Sequence, residues 1–248
     1  MDDLVKSSEK WEPFEQPLFD NPKARDLSRV GVVDIGSNSI RLVVFDGAAR
    51  SPAYFFNEKV MCALGAGLAE SGKLHPDGRM RAVSALRRFC TIAKGIGLPT
   101  LTAVATAAVR EASDGPDFIM QVQSETGLKI HIIDGPEEAR LAAQGVLLGW
   151  PGSYGLVCDI GGGSMELAEI ANGQVGQRVT SPLGPLKLIN VPGGKKGRKA
   201  VIAETLDRLR DQMGPQSDRL FLVGGSKLAN QLRKKVKVPC ISCCVWCA

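Results

Sequence analysis

Histidine is nearly absent from this chain. Only His75 and His131 occur in 248 residues, each beside an expected element boundary and without a partner at metal-ligand spacing. A mechanism built on histidine as base or zinc ligand therefore has little to stand on. The GxxxxGK[ST] phosphate loop and the GxSxG nucleophile elbow are missing. GAGLAE at 65–70 ends in glutamate where a dinucleotide fingerprint requires a small residue. No run of about 18 uncharged apolar residues is available to cross a bilayer, and the N-terminus lacks the basic and apolar regions of a signal peptide. The expectation is a cytoplasmic protein with no membrane partner. A net charge of +5 is too small an excess to argue for specific nucleic-acid binding, although it favours an anionic substrate.

Cysteine is present but unevenly placed. Cys62, Cys90 and Cys158 fall inside apolar periodic segments and read as reduced packing residues. Cys240, Cys243, Cys244 and Cys247 crowd into the last nine residues. Their spacing suits a tetrahedral zinc ion, but a short terminal segment with no second knuckle reads first as an atypical tail.

The most constraining feature is a repeat. VGVVDIGSNSIRLVVFD at 30–46 returns as GLVCDIGGGSMELAEI at 155–170, aligning Asp34 with Asp159, Gly36 with Gly161, Ser39 with Ser164 and Leu42 with Leu167. Each copy is an apolar run ending in aspartate, a small-residue turn and a second alternating run, which predicts strand, tight turn and strand. Two phosphate loops should thus face each other across a cleft. Helical spacing predicts helices over Pro76–Gly95, Asp117–Glu125, Pro136–Leu148 and Lys199–Gln212. Strands are expected at Tyr54–Phe56, Val60–Leu64, Thr100–Ala105, Lys129–Ile133 and Leu220–Val223. The resulting division is a flexible arm (1–28), a first α/β lobe (29–150), a shorter second lobe (151–238) and a cysteine-rich tail (239–248).

Phosphate chemistry follows from the turn residues. Glycines let backbone N–H groups approach an anion, and Ser37, Asn38 and Ser39 add donors without bulk, as Ser164 does beside Gly161, Gly162 and Gly163. Asp34 and Asp159 would repel bare phosphate, so they make sense with a divalent cation between carboxylate and phosphate, and magnesium is the expected ion. The copies differ where Arg41 aligns with Glu166. Glu166 can join Asp159 around the metal, whereas Arg41 reads as structural. Basic clusters at Lys195, Lys196, Arg198 and Lys199, and at Arg233, Lys234, Lys235 and Lys237, read as solvated surface, with the first leaning weakly toward a long polyanion.

Taken together, VVDIGSNSIRL, ATAAVRE, GPEEARL and VCDIGGGSMEL resemble the exopolyphosphatase and guanosine pentaphosphate phosphatase (Ppx/GppA) family of the actin, Hsp70 and sugar kinase superfamily, over about Arg29 to Asn230. The placement of EEAR about twenty residues before DIGGGSxE is specific to that family. The resemblance implies two ribonuclease H-like lobes, magnesium, and hydrolysis of a terminal phosphoanhydride of polyphosphate or guanosine pentaphosphate. It places the general base on Glu138 and a phosphoryl-gripping arginine on Arg110. It also implies metal carboxylates at Asp159 and Glu166, a scissile-phosphate turn at Gly161–Ser164, and an opposing loop at Ser37, Asn38 and Ser39. Gly224 and Gly225 match a later glycine pair of the superfamily. The residues after them depart from the family, so the second lobe is expected to be truncated and self-association, such as a homodimer, becomes a reasonable expectation. A binding protein without turnover and an ATP-dependent kinase are the alternatives.

Overall fold

A computed structural model describes residues 29–45, 54–214 and 218–224. The expected N-terminal arm, the second basic cluster, Gly225 and the cysteine-rich tail lie outside these residues. The first sheet is built from β1 (Val30–Ile35), β2 (Ser39–Phe45), β3 (Tyr54–Met61), β4 (Leu101–Ala105) and β5 (Ile130–Ile132), in the order β3-β2-β1-β4-β5. The second contains β6 (Gly155–Ile160), β7 (Met165–Ala171), β8 (Gln174–Ser181) and β9 (Leu220–Val223), in the order β8-β7-β6-β9. Both sheets follow one plan, with an antiparallel meander flanked by a parallel strand on the first strand's other side. The repeat seen in sequence is therefore a repeat of topology. Among the described residues the second sheet has four strands against five in the first.

The strand pattern follows from alternation. In β1 Gly31, Val33 and Ile35 are buried, while Val30, Val32 and Asp34 are half-buried on the other face. β3 is continuous rather than the two strands expected around 54–64. Its polar Asn57 and Lys59 lie on one face while Phe56 and Val60 pack against the core from the other, so polarity on one side does not interrupt pairing. β8 escapes a hydrophobicity reading because most of its residues are exposed. Its signal is the turn before it: Asn172 (φ 53) and Gly173 (φ 76) supply the two positive φ angles that a tight hairpin turn requires.

Helices α1 (Leu68–Ser71), α2 (Pro76–Gly95), α3 (Ala107–Glu111) and α4 (Gly115–Thr126) follow the first meander. α2 starts with His75 as cap, its Nδ1 accepting the Gly78 N–H at 3.3 Å, and Pro76 in the first turn. Its buried stripe of Ala82, Val83, Leu86 and Phe89 joins Val33, Leu42, Phe118 and Val122 in the first core. α4 stops where Gly127 takes the left-handed conformation (φ 72). α5 (Gly135–Gly149), α6 (Pro185–Leu188) and α7 (Gly194–Met213) complete the helices, α7 starting earlier than the periodicity predicts. Cys62 and Cys158 are buried free thiols and Cys90 is half-buried and free. No helix among the described residues is long and apolar enough to cross a membrane.

The position of α5 matters most for the site. The division after residue 150 places this helix with the first lobe, yet its apolar face (Ala139, Ala142, Ala143 and Val146) packs into a core formed with Val157, Ala168, Ile170 and Phe221 of the second sheet. The close approach is secured at Gly135, where a Cβ would lie 2.5 Å from the Thr180 side chain on β8. Thus α5 follows the first sheet in sequence and belongs to the second lobe by packing.

Candidate active site

The two hairpins close with the same hydrogen bond. The Gly36 N–H donates to the Ser39 carbonyl at 3.0 Å, and the Gly161 N–H donates to the Ser164 carbonyl at 3.0 Å. Their tips meet: a Cβ on Gly162 would stand 3.1 Å from Ser37 Cβ, and one on Gly163 would stand 3.1 Å from Ser37 Oγ. A side chain at either position would crowd Ser37 and require it to shift by a few tenths of an ångström. Gly184, just before α6, packs tighter still, with its would-be Cβ 2.2 Å from the Gly163 carbonyl carbon. The turns thus line a cleft of about 780 Å³ together with other residues of both lobes.

Asp34, Ser37, Asn38, Ser39, Glu138, Asp159, Gly161, Gly162, Gly163 and Ser164 all line this cleft. The structure thereby brings together ten of the twelve residues singled out in the sequence. Arg110 and Glu166 are not among the lining residues. Arg110 is in the last turn of α3, where its Nη1 donates to the Ile133 carbonyl at 2.6 Å and lies 3.7 Å from Glu138 Oε2. Glu166 is only 1% exposed, and its Oε1 accepts the Thr180 hydroxyl at 3.0 Å.

Strand register explains why the two aspartates differ. Across the first sheet Lys59, Arg41 and Asp34 are cross-strand neighbours; across the second, Thr180, Glu166 and Asp159 occupy the corresponding row. Burial raises Asp34 from 3.8 to about 6, with Arg41 and Lys59 opposing the rise. Burial raises Asp159 to about 7, and Glu166 and Asp34 add to the rise. Burial also moves Glu166 upward. Arg41, read from sequence as structural, is 6% exposed and its Nε donates to Asn57 Oδ1 at 2.8 Å.

Local structure separates the two glutamates of α5. Asp134 caps the helix by accepting the Glu137 N–H at 2.8 Å, and Glu137 then accepts Arg140 Nε at 2.7 Å. Glu138 is left facing the cleft. Its Oε2 is buried without a hydrogen-bond partner, and burial, followed by Glu166 and Asp159, raises its pKa to about 9. Ser164 Oγ and Glu166 Oε2 are also buried; neither has a well-formed hydrogen bond, although the Ser164 hydroxyl is near enough to Glu166 to favour its ionised form. Such groups are costly to leave unsatisfied and suit a site that is completed by a ligand.

The donor set fits a hard divalent cation. Four carboxyl groups (Asp34, Glu138, Asp159 and Glu166) stand in one electrostatic neighbourhood; burial raises the pKa of each, and repulsion from neighbouring carboxylates adds to the rise at Glu138 and Asp159. Among the described residues no three His, Cys, Asp or Glu side chains form a ready-made cage. Sequence reasoning did not single out Lys59, Thr180 or Gly184. The first two are recognisable only through strand register, and the third only through its backbone approach to the Gly163 turn.

Gly224 completes the wall. At φ 93 it lies so close to the second hairpin that a Cβ would sit 2.8 Å from Asp159 Oδ1. This gives the first glycine of the expected pair a steric reason.

Comparison with known proteins agrees with this architecture. Residues 43–213 match the model of the Ppx/GppA phosphatase family. Exopolyphosphatase 1 of Mycobacterium leprae is 32% identical over 206 residues, an alignment covering 81% of this chain and 60% of the relative. The chain therefore spans 60% of the length of the curated relatives it matches. A crystal structure of an exopolyphosphatase from Cytophaga hutchinsonii superposes with a TM-score of 0.72 at 24% identity, covering 85% of this chain and 72% of that one. The Aquifex aeolicus PPX-GPPA enzyme gives a TM-score of 0.68 at 25% identity, with coverages of 80% and 68%. With both hairpins, the EEAR helix and the two-sheet plan in place, the chain belongs to the Ppx/GppA phosphatase family.

Proposed function

We propose that the cleft hydrolyses the terminal phosphoanhydride bond of a linear phosphate polyanion, with inorganic polyphosphate as the first candidate and guanosine pentaphosphate as the second. The observation that carries this reading is Glu138: a half-buried carboxylate whose Oε2 is buried without a hydrogen-bond partner, lining the cleft 3.7 Å from Arg110, which stands on the other lobe. The terminal phosphoryl group is received by the two turns, Ser37–Ser39 and Gly161–Ser164, whose N–H and hydroxyl groups replace its hydration. Glu138 Oε2 orients the attacking water and accepts its proton, and Arg110 offers a guanidinium to the charge spread over the phosphoryl oxygens.

Magnesium is part of the proposal. Asp34 and Asp159, with Glu166 behind Asp159, would hold it through their carboxylates. When bound, it supplies positive charge that neutralises phosphate oxygens and favours the ionised form of the neighbouring acids. Burial and the neighbouring carboxylates favour the protonated form of Glu138, which disfavours its action as a base until positive charge is added.

Phosphate release from long-chain polyphosphate and from guanosine pentaphosphate, with and without magnesium, tests the reading. Glu138→Gln should reduce kcat by about 10²–10⁴-fold while leaving polyphosphate binding in place. Undiminished release by this variant would overturn the assignment. Tight binding without release by the unmodified protein, even with magnesium, would leave the non-catalytic alternative standing.

A further inference from the structure

Among the described residues lining the cleft, the cations are Arg41 and Lys59. They differ in availability. Arg41 is nearly fully buried and held by Asn57. Lys59 is exposed on β3, the edge strand of the first sheet, and no ion pair of Lys59 occurs among the described residues. Register places Lys59, Arg41 and Asp34 side by side on three adjacent strands, so their side chains share the sheet face that forms the cleft wall. With strands about 4.8 Å apart, the row carries positive charge roughly 10 Å outward from the carboxylate at the sheet centre. The corresponding row in the second lobe ends in neutral Thr180 and offers no such path.

We propose that Lys59 holds a phosphate of the substrate beyond the terminal one that the turns receive, and that it selects for chains long enough to reach it. The inference rests on the phosphatase reading for its substrate class. Met61, two residues along the same strand face, is 57% exposed in the cleft wall, so the lysine stands at an open mouth where a chain leaving the turns can pass. A lysine on an edge strand also discourages sheet pairing with other molecules. That role alone would leave substrate affinity untouched.

Steady-state kinetics with long-chain polyphosphate, comparing the unmodified protein with Lys59→Gln and Lys59→Arg, separate these roles. Lys59→Gln should raise KM by about tenfold or more, as expected for loss of one charge-assisted contact, with a much smaller change in kcat. The slope of log KM against log salt should fall by roughly one unit or slightly less, and Lys59→Arg should restore most of the affinity. Inhibition by inorganic phosphate, which needs only the turns, should be unaffected. An unchanged KM in a folded Lys59→Gln variant overturns the proposal, and an equal loss of inorganic phosphate affinity overturns the distal placement. If the unmodified protein releases no phosphate, the phosphatase reading fails separately. Equilibrium binding of long-chain polyphosphate to the same variants then decides the role of Lys59.

Discussion

The two hairpins are the same backbone device carrying opposite charge. The turn hydrogen bond is 3.0 Å in both, yet the residue opposite the aspartate is Arg41 in one and Glu166 in the other. In the first lobe the pair is complementary, and Arg41 moderates the rise that burial imposes on Asp34. In the second, burial raises both carboxyl groups and Glu166 adds to the cost of ionising Asp159. A duplicated motif thus yields a clamp on one side and an acidic centre on the other. The division comes from one side chain per hairpin.

Reversing that side chain in the first lobe should have the largest effect. Arg41→Glu would bury a second carboxyl beside Asp34 and deprive Asn57 of its donor, costing about 3–5 kcal/mol. Denaturant melts would register the loss, and an unchanged midpoint would show that Arg41 does not hold the first row together. Removing the like charge in the second lobe should act the other way. Glu166→Gln keeps an acceptor for Thr180 and relieves the repulsion on Asp159. The metal-free protein should gain about 1–2 kcal/mol while magnesium-supported phosphate release falls at least tenfold, a trade between stability and function. A variant that is both more stable and fully active would remove Glu166 from the metal reading.

The acidic centre also predicts a pH profile for the protein in chelator. Asp34 and Asp159 rise from 3.8 to about 6 and about 7 on folding, and Glu138 from 4.5 to about 9. The folded state therefore keeps protons that the unfolded chain has already lost. Their contribution is fully present below about pH 4 and is lost as pH rises through 6 to 9. Thermal melts in chelator should drop by roughly 5–10 °C between mildly acidic and mildly alkaline pH, and magnesium should recover much of the loss. A flat profile would mean that these carboxyls ionise without penalty. The smallest effect is expected for Asn57→Ala, which deletes the 2.8 Å bond to Arg41 Nε on an exposed strand and should cost about 1 kcal/mol in urea melts.

Much of this was legible in the sequence because the signals are local. The apolar runs, the aspartates at strand ends and the glycine turns all lie within seventeen residues, so β1 with β2 and β6 with β7 could be read directly. The stripe Ala139, Ala142, Ala143 and Val146 announced a buried helix face but not which core it enters. That depends on the approach of Gly135 to Thr180, forty-five positions apart. The convergence of Glu138 and Arg110 was implied only by the family resemblance and by no local pattern, because it joins elements whose cores are separate. Lys59 went unnoticed since an isolated lysine on an exposed strand carries no pattern until its register with Arg41 and Asp34 is known.

The short helix α3 has a mechanical consequence. Its last two residues both reach across to the second lobe, Arg110 toward Glu138 on α5 and Glu111 to Lys187 on α6, the latter at 2.7 Å. The body of α3 is anchored in the first core through Ala108 and Val109. Any rotation of one lobe against the other must therefore change the Arg110–Glu138 distance while pulling on the Glu111–Lys187 tie. The alignment of base and guanidinium is in this sense a gauge of lobe angle, and a single five-residue helix couples the reach of the chemistry to the posture of the whole molecule.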